Sequence, residues 1–421
     1  MIYYENGSKD NVITADDLKT AIFATLGKLG NPEKVLAIPP DFTRFHSRAG
    51  EITQYIYNYY GNKLTDILPA LGTHFPMSKN EINEMFGDIP HSLFRVHNWK
   101  DDLCTLGIVP SEYIKEISHG KIDYDWPAQV NKLLVDGEFN LILSIGQVVP
   151  HEVVGMANYN KNIFIGTGGE EGINKSHFLG AIYGMEKMMG QIDTPVRRVL
   201  NYASDNFAKD LPIVYIQTVL GKDEFGKLLL RGLYIGDDIE CFEKAAKLSI
   251  EINFEKVKKP LTKVVVYLDP SEFKSTWLGN KAVYRTRMAI ANDGELLIIA
   301  PGIKEFGEDP EIDRLIRKYG YRTMPEILKF VEENLELREN LSGAAHLIHG
   351  SSENRFNITY STAGLSREEI ESVNYKFANL AEMMARYNPQ KLKDGFNIMA
   401  DGEEIYYISN PAVGLWAYFD E

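Results

Sequence analysis

The sequence predicts an α/β protein of two domains, each a mostly parallel sheet flanked by helices, with the active site in the cleft between them. Three observations carry this prediction. Short apolar runs that end at Gly or Pro alternate with helix-periodic segments along the chain. At 421 residues the chain is long for a single core. A charged, proline-terminated stretch, Lys256-Val257-Lys258-Lys259-Pro260, separates two such α/β series. The boundaries read as 1–258 for the first domain, 259–400 for the second, and 401–421 for a tail that returns to the first.

In chain order, Thr14-Ala15-Asp16-Asp17 caps a helix through Lys28, and the run from Lys34 enters a strand that Pro39 and Pro40 stop. A helix spans 50–60. Ile67-Leu68-Pro69-Ala70-Leu71 reads as a short strand, which Pro69 argues against placing centrally. Ser78, with Glu81 three residues on, forms a capping box for the next helix. Residues 123–134 read as polar connection and helix, and Leu141-Ile142-Leu143-Ser144-Ile145-Gly146 as a buried strand. A helix at 178–189, a connection at 197–201, a strand at 213–219 and helices at 223–230 and 238–250 complete the first series. In the second, strands at 263–268 and 295–300 flank a helix at 281–291, the usual crossover unit. His346 and His349 read as strand-end residues, and 404–408 as a last strand.

Composition narrows the function. The net charge of −14 argues against nucleic acid or an anionic membrane as the main partner. Cys104 and Cys241 lie far apart, which speaks against a disulfide framework or a thiolate metal site. No apolar run reaches the length of a membrane span and no basic leader opens the chain, so a cytoplasmic location is expected.

Polar residues gather on three strand-to-helix loops, where ligands of open α/β sheets usually sit. The first carries Asp41 and Arg44, which can pair with each other or present a guanidinium to a carboxylate or phosphate. The second carries His74. The third, 150–177, holds His151, Lys161 and His177 around Gly166-Thr167-Gly168-Gly169. Their spacings put no pair on one helix face, so they converge only if the glycine loop folds back. Those glycines also allow a ligand close to the backbone, although the loop lacks the Lys-Ser/Thr of a Walker motif. Two histidines on opposite sides of a substrate suit acid–base chemistry, a third can bind a metal, and a lysine can attach a cofactor covalently. His91, His97 and His119 lack partners at metal-ligand spacing and read as surface or packing residues.

These residues resemble those of the nickel-pincer lactate racemases and related 2-hydroxyacid racemases and epimerases. The resemblance lies in Pro40-Asp41-Phe42-Thr43-Arg44, in Gly72-Thr73-His74 with Pro76-Met77-Ser78, and in Pro150-His151 followed by Lys161 and His177. It implies an isomerase whose first domain binds the cofactor and whose second closes on the substrate. Lys161 would carry a nickel-pincer nucleotide, a pyridinium bisthiocarboxylic acid mononucleotide, through a thioamide link, and His177 would ligate the nickel. His74 and His151 would be the catalytic proton-handling pair on opposite faces of the substrate. One removes the hydroxyl proton as the C2 hydride passes to the cofactor, and the other returns a proton after hydride reaches the far face of the planar 2-keto acid. Asp41 and Arg44 would hold cofactor or substrate. Cofactor-biosynthesis proteins are the implied partners.

Two departures matter. Where family members often carry Gly-Gly shortly before the lysine, this chain has Asn158-Tyr159-Asn160. The family's substrate segment, Tyr-Gln followed by Lys, corresponds to Tyr284-Arg285-Thr286-Arg287-Met288. Arg285 and Arg287 as substrate-binding residues favour a 2-hydroxyacid longer than lactate, such as an aldonate; as helix-surface residues they would say nothing of it. The alternatives are a lactate racemase proper, a non-catalytic cofactor-binding protein, or a metal-dependent lyase or hydrolase using His151 and His177.

Overall fold

A computed structural model describes residues 1–223, 226–412 and 414–419. The chain divides into two units: Met1–Leu179 with Met188–Asn253, and Gly180–Lys187 with Phe254–Glu421.

The first unit is built on a six-stranded sheet of β1 (Ile2–Gly7), β2 (Val35–Ile38), β3 (Leu64–Ile67), β4 (Leu141–Gln147), β5 (Ile213–Lys222) and β6 (Leu228–Gly236), in the order β1-β6-β5-β4-β2-β3. β5, β4, β2 and β3 run parallel, while β6 and β1 add an antiparallel edge. Every residue of β2 and β4 is buried, as expected of parallel strands covered on both faces. Helices α1 (Ala15–Lys28) and α2 (Ala49–Tyr60) supply Leu18, Ile22, Ile52 and Ile56 to a core that also takes Leu143, Ile145 and Ile216.

The connectivity places the site. From β2 the chain moves outward through α2 to β3, whereas from β4 it moves the other way to β5. The neighbouring pair β2 and β4 is therefore a topological switch point, and the crevice beyond its carboxyl ends is where open α/β sheets bind ligands. Asp41 and Arg44 follow β2, and His151 follows β4.

The second unit holds β7 (Leu261–Tyr267), β8 (Ile290–Ile299), β9 (Asn357–Ser361), β10 (Lys376–Phe377), β11 (Gly395–Ile398) and β12 (Glu404–Ile408) in the order β10-β9-β8-β7-β12-β11. All neighbours are parallel except β11 with β12. Val265, Leu297, Ile299, Ile405 and Tyr407 pack one face of this sheet.

Within the second unit, β12 pairs with β7, and Leu415–Ala417 pairs with Phe254–Lys256. Several expectations need correction. The division falls at Asn253 rather than at 258. The strand expected at 67–71 is Leu64–Ile67; Pro69 ends it, though Leu68 and Ala70 still donate to the carbonyls of Ala37 and Pro39. Within 123–134, Trp126–Asn131 is a strand paired with Leu103–Val109. The helix expected at 223–230 is replaced by the start of β6, with Glu224 and Phe225 outside the described residues. Residues 197–201 lie inside a helix, α3 (Pro195–Phe207), capped by Thr194. His346 and His349 are buried in the helix Leu341–His349. Among the described residues no helix is long and apolar enough to cross a membrane.

Candidate active site

Each polar group is held by local chemistry. After β2, Pro39 and Pro40 end the strand and Asp41 opens a short 3-10 turn, Phe42–Ser47. The Asp41 carboxylate is 5% exposed and accepts from Thr43 Oγ1 at 2.5 Å and from His74 Nδ1 at 2.6 Å. Burial alone would raise its pKa; the His74 charge and hydrogen bond, Thr43 and Arg44 overcome that and hold it below the ordinary range. Of the two readings open for Asp41 and Arg44, direct pairing is not the one seen. Asp41 orients His74, and the half-buried Arg44 makes no ion pair among the described residues.

The His74 loop is tied to the third loop through Gly72, whose N–H donates to Gly166 O at 2.8 Å and whose φ of 57° suits glycine. In the third loop, Pro150–His151 and Gly155–Met156 form a small hairpin. The Val153 N–H donates to His151 Nδ1 at 3.1 Å, so the neutral ring carries its proton on Nε2. His74 is the opposite case: its Nδ1–H is committed to Asp41, which leaves the Nε2 lone pair outward. The neutral His74 ring thus offers a lone pair at Nε2, and the neutral His151 ring an N–H there.

Lys161 sits in a short helix, Asn160–Phe164, next to the switch point. Asn162 Nδ2 bonds Ile38 O, Ser144 Oγ and Ile145 O and so fastens this helix to β2 and β4. Burial, with repulsion from Arg44, brings the Lys161 ammonium down to about 8 despite the nearby Glu152 and Asp41 carboxylates. His177, on the helix Glu170–Tyr183, donates Nδ1–H to Ile173 O at 2.7 Å and keeps Nε2 for another partner. Burial lowers its pKa, and Glu152, Lys161 and His74 are close enough to act on its charge. Asp41, Arg44, His74, Glu152, Lys161 and His177 thus form one electrostatic set, with His151 3.7 Å from the Glu152 carboxylate.

Those features fit a covalently attached, metal-bearing cofactor. A lysine near neutrality is a competent nucleophile, and an imidazole fixed through Nδ1 presents Nε2 as a metal ligand. Among the described residues no three His, Cys, Asp or Glu side chains cage a metal by themselves, so nickel at His177 would need its other ligands from the cofactor. Gln147, ending β4, is buried with both amide atoms lacking a hydrogen-bond partner, which a ligand there would satisfy.

Of the remaining residues, His97 meets its expectation and others do not. Added Cβ atoms at Gly166 and Gly168 would collide with the carbonyls of Asn162 and Phe164, so these glycines serve close backbone packing within the loop. His97 is a packing residue, with Nε2 donating to Gly168 O at 2.9 Å and Nδ1 accepting from Asn131. Arg285 and Arg287, expected at the substrate or on a helix surface, are 1% and 2% exposed. Arg287 is ion-paired with Glu186 at 2.7 Å and donates to Ser351 O, while Arg285 donates to Gly414 O at 3.2 Å. Sequence reasoning missed Arg197, which clamps the turn before Lys161. It donates to the Asn160 side chain and to the carbonyls of Met156 (2.6 Å) and Asn158 (3.3 Å), and stacks 4.2 Å from the Phe242 ring. Thr194-Pro195, a helix-start signal, could have revealed the helix that carries it.

The Lys161 titration is directly testable. In cofactor-free protein, acylation of Lys161 should rise with a midpoint near pH 8; a midpoint near that of ordinary lysines would contradict the burial argument. The folded pKa lies below the unfolded one, so its share of stability is absent below about pH 8 and returns as pH rises towards 10.5. Lys161→Met should therefore stabilise the cofactor-free protein at pH 7 by about 1–3 kcal/mol in urea unfolding, with the gain gone above pH 10.5.

The fold and site together define a two-unit α/β protein with a lysine and three histidines at a switch point. Residues 18–190 match the lactate racemase N-terminal domain family. That match covers 173 of the chain's 421 residues, most of them in the first unit. No curated protein matches the chain. Among solved structures, a Thermotoga maritima protein is similar with a TM-score of 0.81 and 24% identity, over 96% of this chain and 98% of that one. The lactate racemase apoprotein of Thermoanaerobacterium thermosaccharolyticum is similar with a TM-score of 0.71 and 17% identity, over 96% and 93% of the two chains.

Proposed function

We propose that the protein inverts C2 of a 2-hydroxyacid, with a nickel-pincer nucleotide attached to Lys161 and its nickel ligated by His177. The observation that carries this reading is the pairing of a lysine brought down to about 8 with a histidine whose Nδ1 is committed to Ile173 O, in one set of charged groups. When bound, the cofactor supplies a group that takes up and returns the C2 hydride. The chain's own residues handle protons and position. His74, oriented by Asp41, accepts the hydroxyl proton at Nε2 from one epimer. His151 acts as the imidazolium: with Nδ1 protonated and released from the Val153 N–H, it gives its Nε2 proton to the nascent hydroxyl of the other and returns to the neutral ring. In the reverse direction the roles exchange. Arg44, unpaired with Asp41, is suited to the substrate carboxylate or to the cofactor phosphate.

A substrate larger than lactate, such as an aldonate, is the finer part of this proposal. With Arg287 engaged by Glu186, that preference rests on Arg285 and on the missing lysine of the Tyr284–Met288 segment. The reading also calls for partner proteins that build and load the cofactor. Co-expression with such machinery, followed by intact mass and nickel analysis, is expected to give stoichiometric modification of Lys161 and bound nickel. An active, nickel-free enzyme with unmodified Lys161 would overturn it. Rapid racemisation of lactate with every aldonate inert would overturn the substrate preference alone.

A further inference from the structure

The second unit contains a polar cavity of about 270 Å³ to which the chemistry proposed above assigns no role. It lies where β9 and β10 begin, at Asn357 and Lys376, beside the turn at Asp293 in β8. In a chain of net charge −14, its lining brings Arg322, Arg355 and Lys376 together against the single carboxylate of Asp293. The cations are incompletely matched. Half-buried Arg355 gives Nη2 to the Arg287 carbonyl, but its Nε is buried without a hydrogen-bond partner. Exposed Lys376 makes no ion pair among the described residues, and Arg322 meets Glu326 only at 3.6 Å. Burial, then repulsion from Arg287, lowers the Arg355 pKa, so an anion at this place would relieve an existing cost.

The backbone around the cavity points the same way. Asp293, Asn354 and Asn374 line it with φ of 60°, 59° and 68°. Left-handed non-glycine residues are costly and tend to gather at ligand sites. Ser352 and Asn354 add neutral hydrogen-bonding groups, and the volume is many times what one water needs. Arginine forks with a neighbouring lysine recognise doubly charged oxygen anions.

We propose that this cavity binds a small oxyanion of charge −2 or more, either free phosphate or the phosphate of an ester. Titration calorimetry of the full chain with inorganic phosphate and with glycerol phosphate, at ionic strength matched by sodium chloride, tests it. Saturable binding is expected, at least tenfold weaker in the Arg322→Glu/Lys376→Glu double variant, whose changes lie on accessible side chains. Arg355→Gln should weaken it similarly, and Arg44→Gln should leave it unchanged. Tighter binding of the ester would identify an ester as the ligand, and tighter binding of phosphate the free ion. Equal affinity in the double variant, loss of binding in Arg44→Gln alone, or no saturable binding of either anion would overturn the proposal.

Discussion

His74→Gln and His151→Gln should each lower racemisation by about 10²–10⁴-fold while leaving Lys161 modification and nickel content intact. The two defects should differ in kind. His74 is fixed by Asp41 with its Nε2 lone pair outward, and His151 is fixed by the Val153 N–H with a proton on Nε2. Overall turnover cannot separate them, because the equilibrium constant ties the two directions together. A single-turnover experiment that traps the 2-keto acid can. Each variant should still oxidise the epimer whose hydroxyl faces the remaining histidine, His151 doing so only from the tautomer protonated at Nδ1, and fail with the other. If both variants fail equally with both epimers, the opposite-face assignment is wrong. Asp41→Asn offers a control. It keeps the shape but replaces the carboxylate by a neutral amide whose N–H₂ can turn towards Nδ1 and favour the other His74 tautomer, and should cost about 10–100-fold, confined to the epimer that His74 serves.

Much of this arrangement was legible because it rests on short-range chemistry. The Thr14 and Ser78 capping boxes form as their sequences indicate, and the apolar run at Leu141 is the buried strand that delivers His151. The three loops bearing Asp41, His74 and Lys161 were identifiable as post-strand loops. Their convergence was not, since it depends on the order of β2 and β4 in the sheet. The same limit applies to Asp41, whose spacing suggested Arg44 as its partner although the structure gives it His74. Leu228-Leu229-Leu230 suits helix or strand equally, and pairing with β5 decides for the strand. For Arg285 and Arg287, sequence alone offered a surface or a substrate. Neither reading anticipated burial against Gly414, Ser351 and Glu186.

The departure at Asn158-Tyr159-Asn160 now has a physical account. Asn158 and Tyr159 adopt φ of 68° and 59°, the region glycine enters without cost, so the turn before Lys161 keeps a glycine-like backbone while carrying side chains. Those side chains hold it in place. Asn158 donates to Gln217 at 2.7 Å, and Tyr159 stacks on Phe242 with ring centroids 5.3 Å apart. The strain, about 1–3 kcal/mol per residue, is borne by contacts that a glycine pair would lack.

Arg197 is the centre of those contacts, and its replacement should have the largest effect on the folded protein. It is 1% exposed, its pKa is brought by burial down to about 9, and it bridges Asn160, Met156 and Asn158. Arg197→Met removes a costly buried charge but leaves these acceptors without their donor. The second effect should prevail, because Met156, Asn158 and Asn160 are all buried, so the acceptors are left away from water. A loss of about 2–4 kcal/mol in urea unfolding is expected, with greatly reduced Lys161 modification on co-expression. Arg197→Lys tests geometry against charge: a single ammonium cannot span acceptors on both sides of the turn, so it should recover little of either. Hydrogen exchange should show faster amide exchange at 156–162 in both variants while β4 stays protected. If Arg197→Met unfolds within about 0.5 kcal/mol of the parent and accepts the cofactor normally, the turn is held by the Tyr159 and Asn158 contacts and not by the guanidinium.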